Sequence, residues 1–242
     1  MKQSFFILVA ITIIFILGLT SLALRTTMRA RDETPKVTVT ITEGSTVADI
    51  NKTLREKGVL VEGSLPEELE GYLFPDTYEF FLGSSLEVVK SKLTENFESK
   101  IKSLGLSELG QEELNEVITI ASLIEAEVPF REDRKIVAGI IEKRLEAGIP
   151  LQIDASICYL KGDPCLPITD RDKKIDSLYN TYLHRGLTPG PIGNPGLDAI
   201  EASISPEKSP FLYYISDPET GRTIFASSLD EHNSNVVKYL DY

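Results

Sequence analysis

A single acid interrupts the apolar side of one predicted helix. Residues 111–128 carry an apolar stripe at helical spacing, made up of Leu114, Val117, Ile118, Ala121, Ile124 and Val128. Glu125 projects within about 20° of Leu114 and Ile118, inside this stripe. Burial among apolar side chains raises the pKa of a carboxyl group toward the range that a general acid needs near neutral pH. We therefore predict Glu125 to be the acid/base of an enzyme.

The same acid has an alternative, structural role. Glu125 could form an ion pair with Arg131 or Arg144, in which case stability rather than catalysis would depend on it. Glu127 projects near the border of the apolar stripe. We expect Glu127 to be solvated or to support the site from outside.

Two polar residues that could contact a substrate fall on a predicted strand. After Pro150, apolar residues at 151, 153, 155, 157 and 159 alternate with Gln152, Asp154 and other polar residues, which predicts one buried face. Gln152 and Asp154 share the polar face, where both could bind substrate. Asp154 and Asp76 are also candidates for a second acid, since most glycosidases flank the scissile bond with two carboxylates.

A loop rich in glycine and proline supplies side chains that suit a sugar. In the stretch YNTYLHRGLTPGPIGNPG, residues 179–196, Tyr179 and Tyr182 could stack on sugar rings. Asn180 and Asn194 could bond to hydroxyl and N-acetyl groups. The alternative for such a loop is a purely structural turn.

Composition excludes several classes of protein. Acidic residues outnumber Lys and Arg by twelve, so nucleic acid is not expected as a partner. Cys158 and Cys165 are too few for a disulfide-built fold, and they either pair with each other or remain free thiols. His184 and His232 lie far apart in sequence and show no metal-binding spacing. We predict neither a metal nor a cofactor.

The first residues predict a membrane anchor. Residues 4–24 carry no charge and are long enough to cross a bilayer, so residues 1–24 are assigned to a transmembrane helix. A cleaved signal peptide is the alternative. Residues 25–36 are polar and form a linker. Arg25, Arg29 and Arg31 after the span would favour a cytoplasmic domain, although large domains cross membranes with little regard to such charges.

Helices and short strands follow without strict alternation. Residues 37–66 predict a small unit of one strand and one helix, and residues 70–80 a turn-rich segment. Helices are expected near 85–103, 111–128 and 131–147. A hairpin over 211–227 and a last helix with the capping box of Ser228 and Glu231 complete the chain. This order indicates the α+β class.

Six sequence blocks follow one another along the chain. The blocks are EGYLFPDTYEF, ITIASLIEAEV, AGIIEKRLEAGIPLQIDASICY, YNTYLHRGLTPGPIGNPG, FLYYIS and FASSLDEHN. Together, and in this order, they resemble the YceG-like family of endolytic murein (lytic) transglycosylases over about residues 37–242. Each block is unspecific alone, whereas the ordered set is specific.

The resemblance implies both an organisation and a reaction. It implies a single-pass anchor in the bacterial plasma membrane, a LysM-like module over 37–66 and an extracytoplasmic catalytic domain over 67–242. It also implies cleavage of the β-1,4 bond from N-acetylmuramic acid to N-acetylglucosamine within peptidoglycan strands, which leaves 1,6-anhydro ends. Glu125 matches the family's catalytic glutamate in this comparison. The membrane and synthases of the elongation machinery would be partners.

Two departures from the family pattern bear on these expectations. The membrane-proximal part is shorter than is usual, and Thr223 stands where the family commonly has histidine. Two other functions remain open from the residues alone. One is a muramidase that uses water as the acceptor, and the other is a membrane-tethered scaffold that binds the wall without cleaving it.

Overall fold

A computed structural model describes residues 16, 19, 20, 35–162, 165 and 167–240. The predicted anchor over 1–24 and the linker over 25–36 therefore lie almost wholly outside the described residues. No helix in the described ranges is both long and apolar enough to cross a bilayer.

The N-terminal unit is a two-stranded antiparallel sheet with one helix. Strand β1, Lys36–Thr40, pairs with β2, Thr77–Phe81, and helix α1 spans Val47–Glu56. The pattern of residues 37–41 predicted β1, whereas β2 was expected to be part of a turn. Thr46 and Asp49 form a capping box that begins α1. The small core of this unit draws on residues as far along the chain as Leu93, beyond the predicted module boundary at 66.

Helix α2, Leu86–Ser103, joins the small core to a larger one. Val89 and Leu93 belong to the small core, and Phe97 and Ile101, further along the same face, belong to the large core. This continuous stripe confirms the predicted amphipathic helix and ties the two parts together.

The large core is built around α3, Gln111–Glu127. Helices α4, Arg131–Glu146, and α6, Leu197–Ile204, pack against it. Ile118, Ala121 and Ile124 of α3 are completely buried, as the predicted stripe requires. The C-terminal turn of α3 therefore has a fixed direction, which positions both Glu125 and Glu127.

The prediction of a strand after Pro150 is wrong. Residues Asp154–Lys161 form helix α5, and only the approach to it is extended. Leu151, Ile153 and Ile157 are all buried. The spacing of Ile153 and Ile157 fits one side of a helix as well as one face of a strand, so alternation alone did not distinguish the two. Cys158 of α5 is disulfide-bonded to Cys165, with the Cα atoms 5.0 Å apart, which is the first of the two alternatives that the sequence left open.

The C-terminal unit matches the sequence pattern. Strands β3, Tyr213–Ser216, and β4, Thr223–Ala226, form an antiparallel hairpin. Helix α7, Leu229–Tyr239, packs on both strands, and the Ser228 hydroxyl caps it by accepting from the Glu231 N–H. With seven helices and two small sheets in the described residues, the predicted α+β class is confirmed.

Candidate active site

Glu125 lies in a buried ion pair. Its side chain is 6 % exposed, and its two carboxylate oxygens accept from Nη2 and Nη1 of Arg134 at 2.6 and 3.1 Å. The backbone N–H of Gly196 donates to the same carboxylate at 3.0 Å. The prediction that Glu125 is buried is thus correct. The alternative of an ion pair is also correct in kind, but the partner is Arg134 rather than Arg131 or Arg144.

The ion pair joins three elements of the large core. Arg134 lies in the first turn of α4, and its Nε also donates to the carbonyl of Val128 just after α3, at 3.1 Å. Gly196 is the residue that precedes α6. Every nitrogen and oxygen of the Glu125 carboxylate and the Arg134 guanidinium therefore has a hydrogen-bond partner within the protein. This is the arrangement of a structural ion pair.

Glu127 lies two residues further on, at the last position of α3. Its Oε1 accepts the backbone N–H of Ala155, at 3.0 Å, in the first turn of α5. Ile153, which precedes α5, offers no capping side chain, so Glu127 supplies an acceptor to the free N–H groups there. A side chain from a distant part of the sequence thus begins this helix.

Burial, with a smaller contribution from the negative charge of Asp154, raises the pKa of the Glu127 carboxyl from 4.5 to about 7. The hydrogen bond from Ala155 acts in the opposite direction but is outweighed. Such a group carries its proton about half of the time at neutral pH, which is the state that acid/base catalysis requires.

Glu127 opens into a polar cavity of about 600 Å³ between α5 and the C-terminal unit. Of the six residues predicted to bind substrate, three line this cavity: Gln152, Asp154 and Tyr182. Other lining residues include Arg144, Leu151, Lys173, Tyr213, Tyr214 and His232. Glu125 is not among them.

Gln152 has a backbone conformation that non-glycine residues seldom adopt. Its φ is 54°, in the left-handed region. The Gln152 N–H donates to the carbonyl of Thr181 at 3.0 Å, and its side-chain oxygen accepts from Arg144 Nη2 at the same distance. Strained residues of this kind cluster at functional sites, where the surrounding contacts hold them in place.

Asp154 and Tyr182 are held together inside the cavity. The Tyr182 hydroxyl donates to Asp154 Oδ1 at 2.5 Å. Burial and the adjacent carboxylate raise the pKa of Tyr182 well above its usual range, so the phenol keeps its proton. The bond fixes the Asp154 carboxylate, whose charge acts on Glu127.

The remaining predicted residues serve the fold, not the cavity. Asn180 is fully buried and donates to the carbonyls of Lys173 and Ile175 at 3.1 and 2.8 Å. Tyr179 packs against the ring of Tyr159, with centroids 5.2 Å apart. Asn180 is thus occupied inside the protein, whereas Tyr179 is half-buried, and neither residue lines the cavity.

Asn194 and Asp76 are likewise occupied elsewhere. Asn194 donates to the carbonyl of Ser45 at 2.8 Å and accepts from the Leu73 N–H at 2.8 Å, which ties its loop to the N-terminal unit. Asp76 is an exposed residue beside β2 and accepts from Asn96 at 3.1 Å. Neither lines the cavity, and of the two predicted second acids only Asp154 does.

Sequence reasoning missed the role of the C-terminal hairpin. Tyr213 and Tyr214 were expected only as strand residues, and both line the cavity.

In the described residues, no group of three His, Cys, Asp or Glu side chains is arranged to hold a metal ion.

The sequence profile of the YceG-like family matches residues 17–238. The chain belongs to the YceG-like family. A YceG-like crystal structure from Listeria monocytogenes has a TM-score of 0.73 and 28 % identity, over 89 % of this chain and 81 % of that one. The α+β arrangement described above is therefore that of a solved YceG-like protein.

Relatives named endolytic murein transglycosylase occur in two organisms. The Streptococcus pneumoniae protein is 36 % identical over 201 residues, which are 78 % of this chain and 35 % of the relative. The Bacillus subtilis protein is 36 % identical over 185 residues, which are 73 % of this chain and 49 % of the relative. This YceG-like chain thus spans between about a third and a half of the relatives' length.

Proposed function

We propose that this protein is an endolytic peptidoglycan lytic transglycosylase in which Glu127, rather than Glu125, is the acid/base. The observation that carries the proposal is a carboxyl group of pKa about 7 at the wall of a polar cavity. The names of the two relatives supply the substrate class, peptidoglycan strands. Glu125 is already held by Arg134, so its carboxylate is committed to the fold.

In the proposed reaction one group transfers the proton twice. Protonated Glu127 donates to the glycosidic oxygen of N-acetylglucosamine as the bond from that oxygen to C1 of N-acetylmuramic acid breaks. The Glu127 carboxylate then takes the proton of the C6 hydroxyl while O6 bonds to C1. The products are a new N-acetylglucosamine 4-hydroxyl end and a 1,6-anhydro-N-acetylmuramic acid end. Glu127 regains its proton, and no water is consumed.

Asp154 assists this reaction by its charge. Burial is the main cause of the raised pKa of Glu127, and the Asp154 charge adds to it, so that more of the general acid is protonated near neutral pH. Positive charge develops at C1 as the glycosidic bond breaks, and a carboxylate in the same cavity stabilises it. The hydrogen bond from Tyr182 keeps Asp154 in one position during both steps.

The presence of two acids in one cavity also favours a second candidate, a hydrolytic muramidase. In that enzyme Asp154 or Glu127 would activate a water molecule that replaces the C6 hydroxyl as the nucleophile. A scaffold that binds the wall without cleaving it would not require the raised pKa of Glu127.

Mass spectrometry of digested peptidoglycan separates these functions. Purified strands are incubated with the full-length protein and, as the control, with its Glu127→Gln variant. We expect anhydro ends from the wild type and none from the variant. Reducing muramic acid ends would support hydrolysis, and intact strands with folded wild-type protein would support the scaffold.

The location of the site is part of the proposal. Uncharged residues 4–24 would anchor the chain in the plasma membrane, with the catalytic part on the outer side where peptidoglycan lies. Synthases of the elongation machinery would be its partners there.

A further inference from the structure

We infer that Arg144 and Lys173 form a subsite in the cavity that binds a carboxylate carried by the muramic acid residue of a strand. The inference rests on the proposed function, because it names what part of the substrate this cavity recognises. It adds a reason why the enzyme distinguishes the two alternating sugars of the strand.

Arg144 is a buried cation without a counter-ion. It is 8 % exposed, and it forms no salt bridge with any carboxylate of the described ranges. Its Nη2 donates to Gln152, but its Nε is buried and has no hydrogen-bond partner in the described part of the chain. Burial lowers the pKa of Arg144, which shows that its environment disfavours the charged form.

Arg134, ten residues earlier on the same helix, shows how this protein satisfies a structural arginine. Arg134 is buried to a similar degree at 6 % exposure, yet it has the Glu125 carboxylate at 2.6 Å and a carbonyl acceptor for its Nε. Buried charges are normally paired in this way, because an unpaired one is costly. Within the part of the chain that the structure describes, Arg144 has only the Gln152 oxygen and the ring of Tyr213, whose centroid lies 5.4 Å from its Cζ, and no carboxylate. The missing carboxylate indicates a ligand that brings its own acceptor oxygens.

The cavity around Arg144 is arranged to receive an anion beside the catalytic acid. Lys173 lies over the ring of Tyr182, 4.8 Å from its centroid, and lines the same cavity as Arg144. His232 also lines it, and burial together with the Arg144 charge lowers the pKa of His232. The two permanent cations flank Gln152 and Tyr182, which contact Arg144 and Asp154 respectively. A guanidinium with a free Nε suits a carboxylate well.

In a strand of alternating N-acetylglucosamine and N-acetylmuramic acid, only the second sugar carries an acid. That acid is the lactyl carboxylate itself in strands without peptides. In strands with peptides, the lactyl group is amide-linked and the peptide supplies the carboxylates. Binding of either carboxylate would place muramic acid, not N-acetylglucosamine, beside Glu127. The subsite would thereby select which of the two alternating bonds is cut.

The test measures binding to the full-length Glu127→Gln protein, so that no strand is cut. Three probes are used: strands with peptides, strands from which an amidase has removed the peptides, and chitooligosaccharides, which have no carboxylate. In the Glu127→Gln background, Arg144→Gln should raise the Kd for acid-bearing strands by about tenfold to a hundredfold. The Kd for chitooligosaccharides should stay the same. Lys173→Met should cause a smaller rise with the same selectivity.

The two kinds of strand identify the source of the carboxylate. A rise confined to peptide-bearing strands assigns the subsite to the peptide, and a rise for stripped strands assigns it to the lactyl group. Arg144→Lys keeps the charge without the fork, so it should recover part of the affinity. If Arg144→Gln does not fold, Arg144→Lys and Lys173→Met carry the comparison.

Three results would overturn the subsite. Arg144→Gln could leave the Kd for both kinds of strand unchanged, or it could raise the Kd for chitooligosaccharides equally. The third is that the Glu127→Gln protein, in which Arg144 is intact, binds no strand at all. Cleavage is not the readout. If acid-dependent binding is found but the wild-type protein cuts no strand, the proposed function fails while the subsite stands.

Discussion

Glu125→Gln should lower the stability of the protein and leave the proposed acid/base, Glu127, unchanged. The substitution leaves Arg134 buried without the carboxylate that contacts it at 2.6 and 3.1 Å. Removal of one partner of a buried ion pair typically costs about 3–5 kcal/mol. In a domain of this size that cost lowers the melting temperature by about 6–20 °C.

Glu127→Gln is the matched control, two residues along the same helix. The raised pKa of Glu127 means that the folded protein holds this proton more tightly than the unfolded chain does. The ionised carboxylate therefore destabilises the folded state as pH rises from about 4.5 to about 7. That shift corresponds to about 3 kcal/mol above pH 7. We expect Glu127→Gln to melt at or above the wild-type temperature at pH 8, and to show no gain at pH 4.

The assay combines thermal melting with turnover of purified strands. Glu125→Gln should keep measurable turnover at a temperature where it remains folded, whereas Glu127→Gln should be folded and inactive. A Glu125→Gln protein that melts like the wild type and cuts no strands would refute the reasoning. It would return the catalytic role to Glu125.

Three further perturbations follow from the same contacts. Asp154→Asn removes a charge that raises the pKa of Glu127, so the loss of activity at high pH should begin at a lower pH, as a pH–rate profile would show; an unmoved profile would contradict this. Cys158→Ser should lower stability by about 2 kcal/mol, because the disulfide to Cys165 closes a short loop, and a reductant should lower the melting temperature of the wild type but not of the variant. Protease added to intact spheroplasts should remove everything after about Arg31, and complete protection would contradict the proposed topology.

The sequence pattern predicted the large helices because their apolar stripes are strong and their caps are local. The stripe of α3 correctly predicted that Glu125 is buried. It could not predict Arg134 as the partner, since an arginine in the next helix reaches Glu125 only through the angle between α3 and α4. Helical projection likewise placed Glu127 at the border of the apolar stripe. It could not predict that the first turn of α5 contacts Glu127.

Two elements escaped prediction for physical reasons. Strand β2 is only five residues long, and its partner β1 lies about forty residues earlier, so no local pattern indicated the pairing. Helix α5 begins at a side chain of α3 and not at a local capping residue. The cavity, in turn, depends on the C-terminal hairpin, which brings Tyr213 and Tyr214 to α5 from about sixty residues away. Such contacts are properties of tertiary packing.

The most direct test of Glu127 as the acid/base is the rate of anhydro-end formation by folded Glu127→Gln protein, measured at pH 7 by mass spectrometry beside the wild type. Loss of a general acid typically lowers the rate by about 10²–10⁴-fold, and here the same group performs both proton transfers. We expect a loss at the upper end of that range or beyond, with a melting temperature at or above that of the wild type and with unchanged strand binding. Turnover at the wild-type rate by the folded variant would contradict the account.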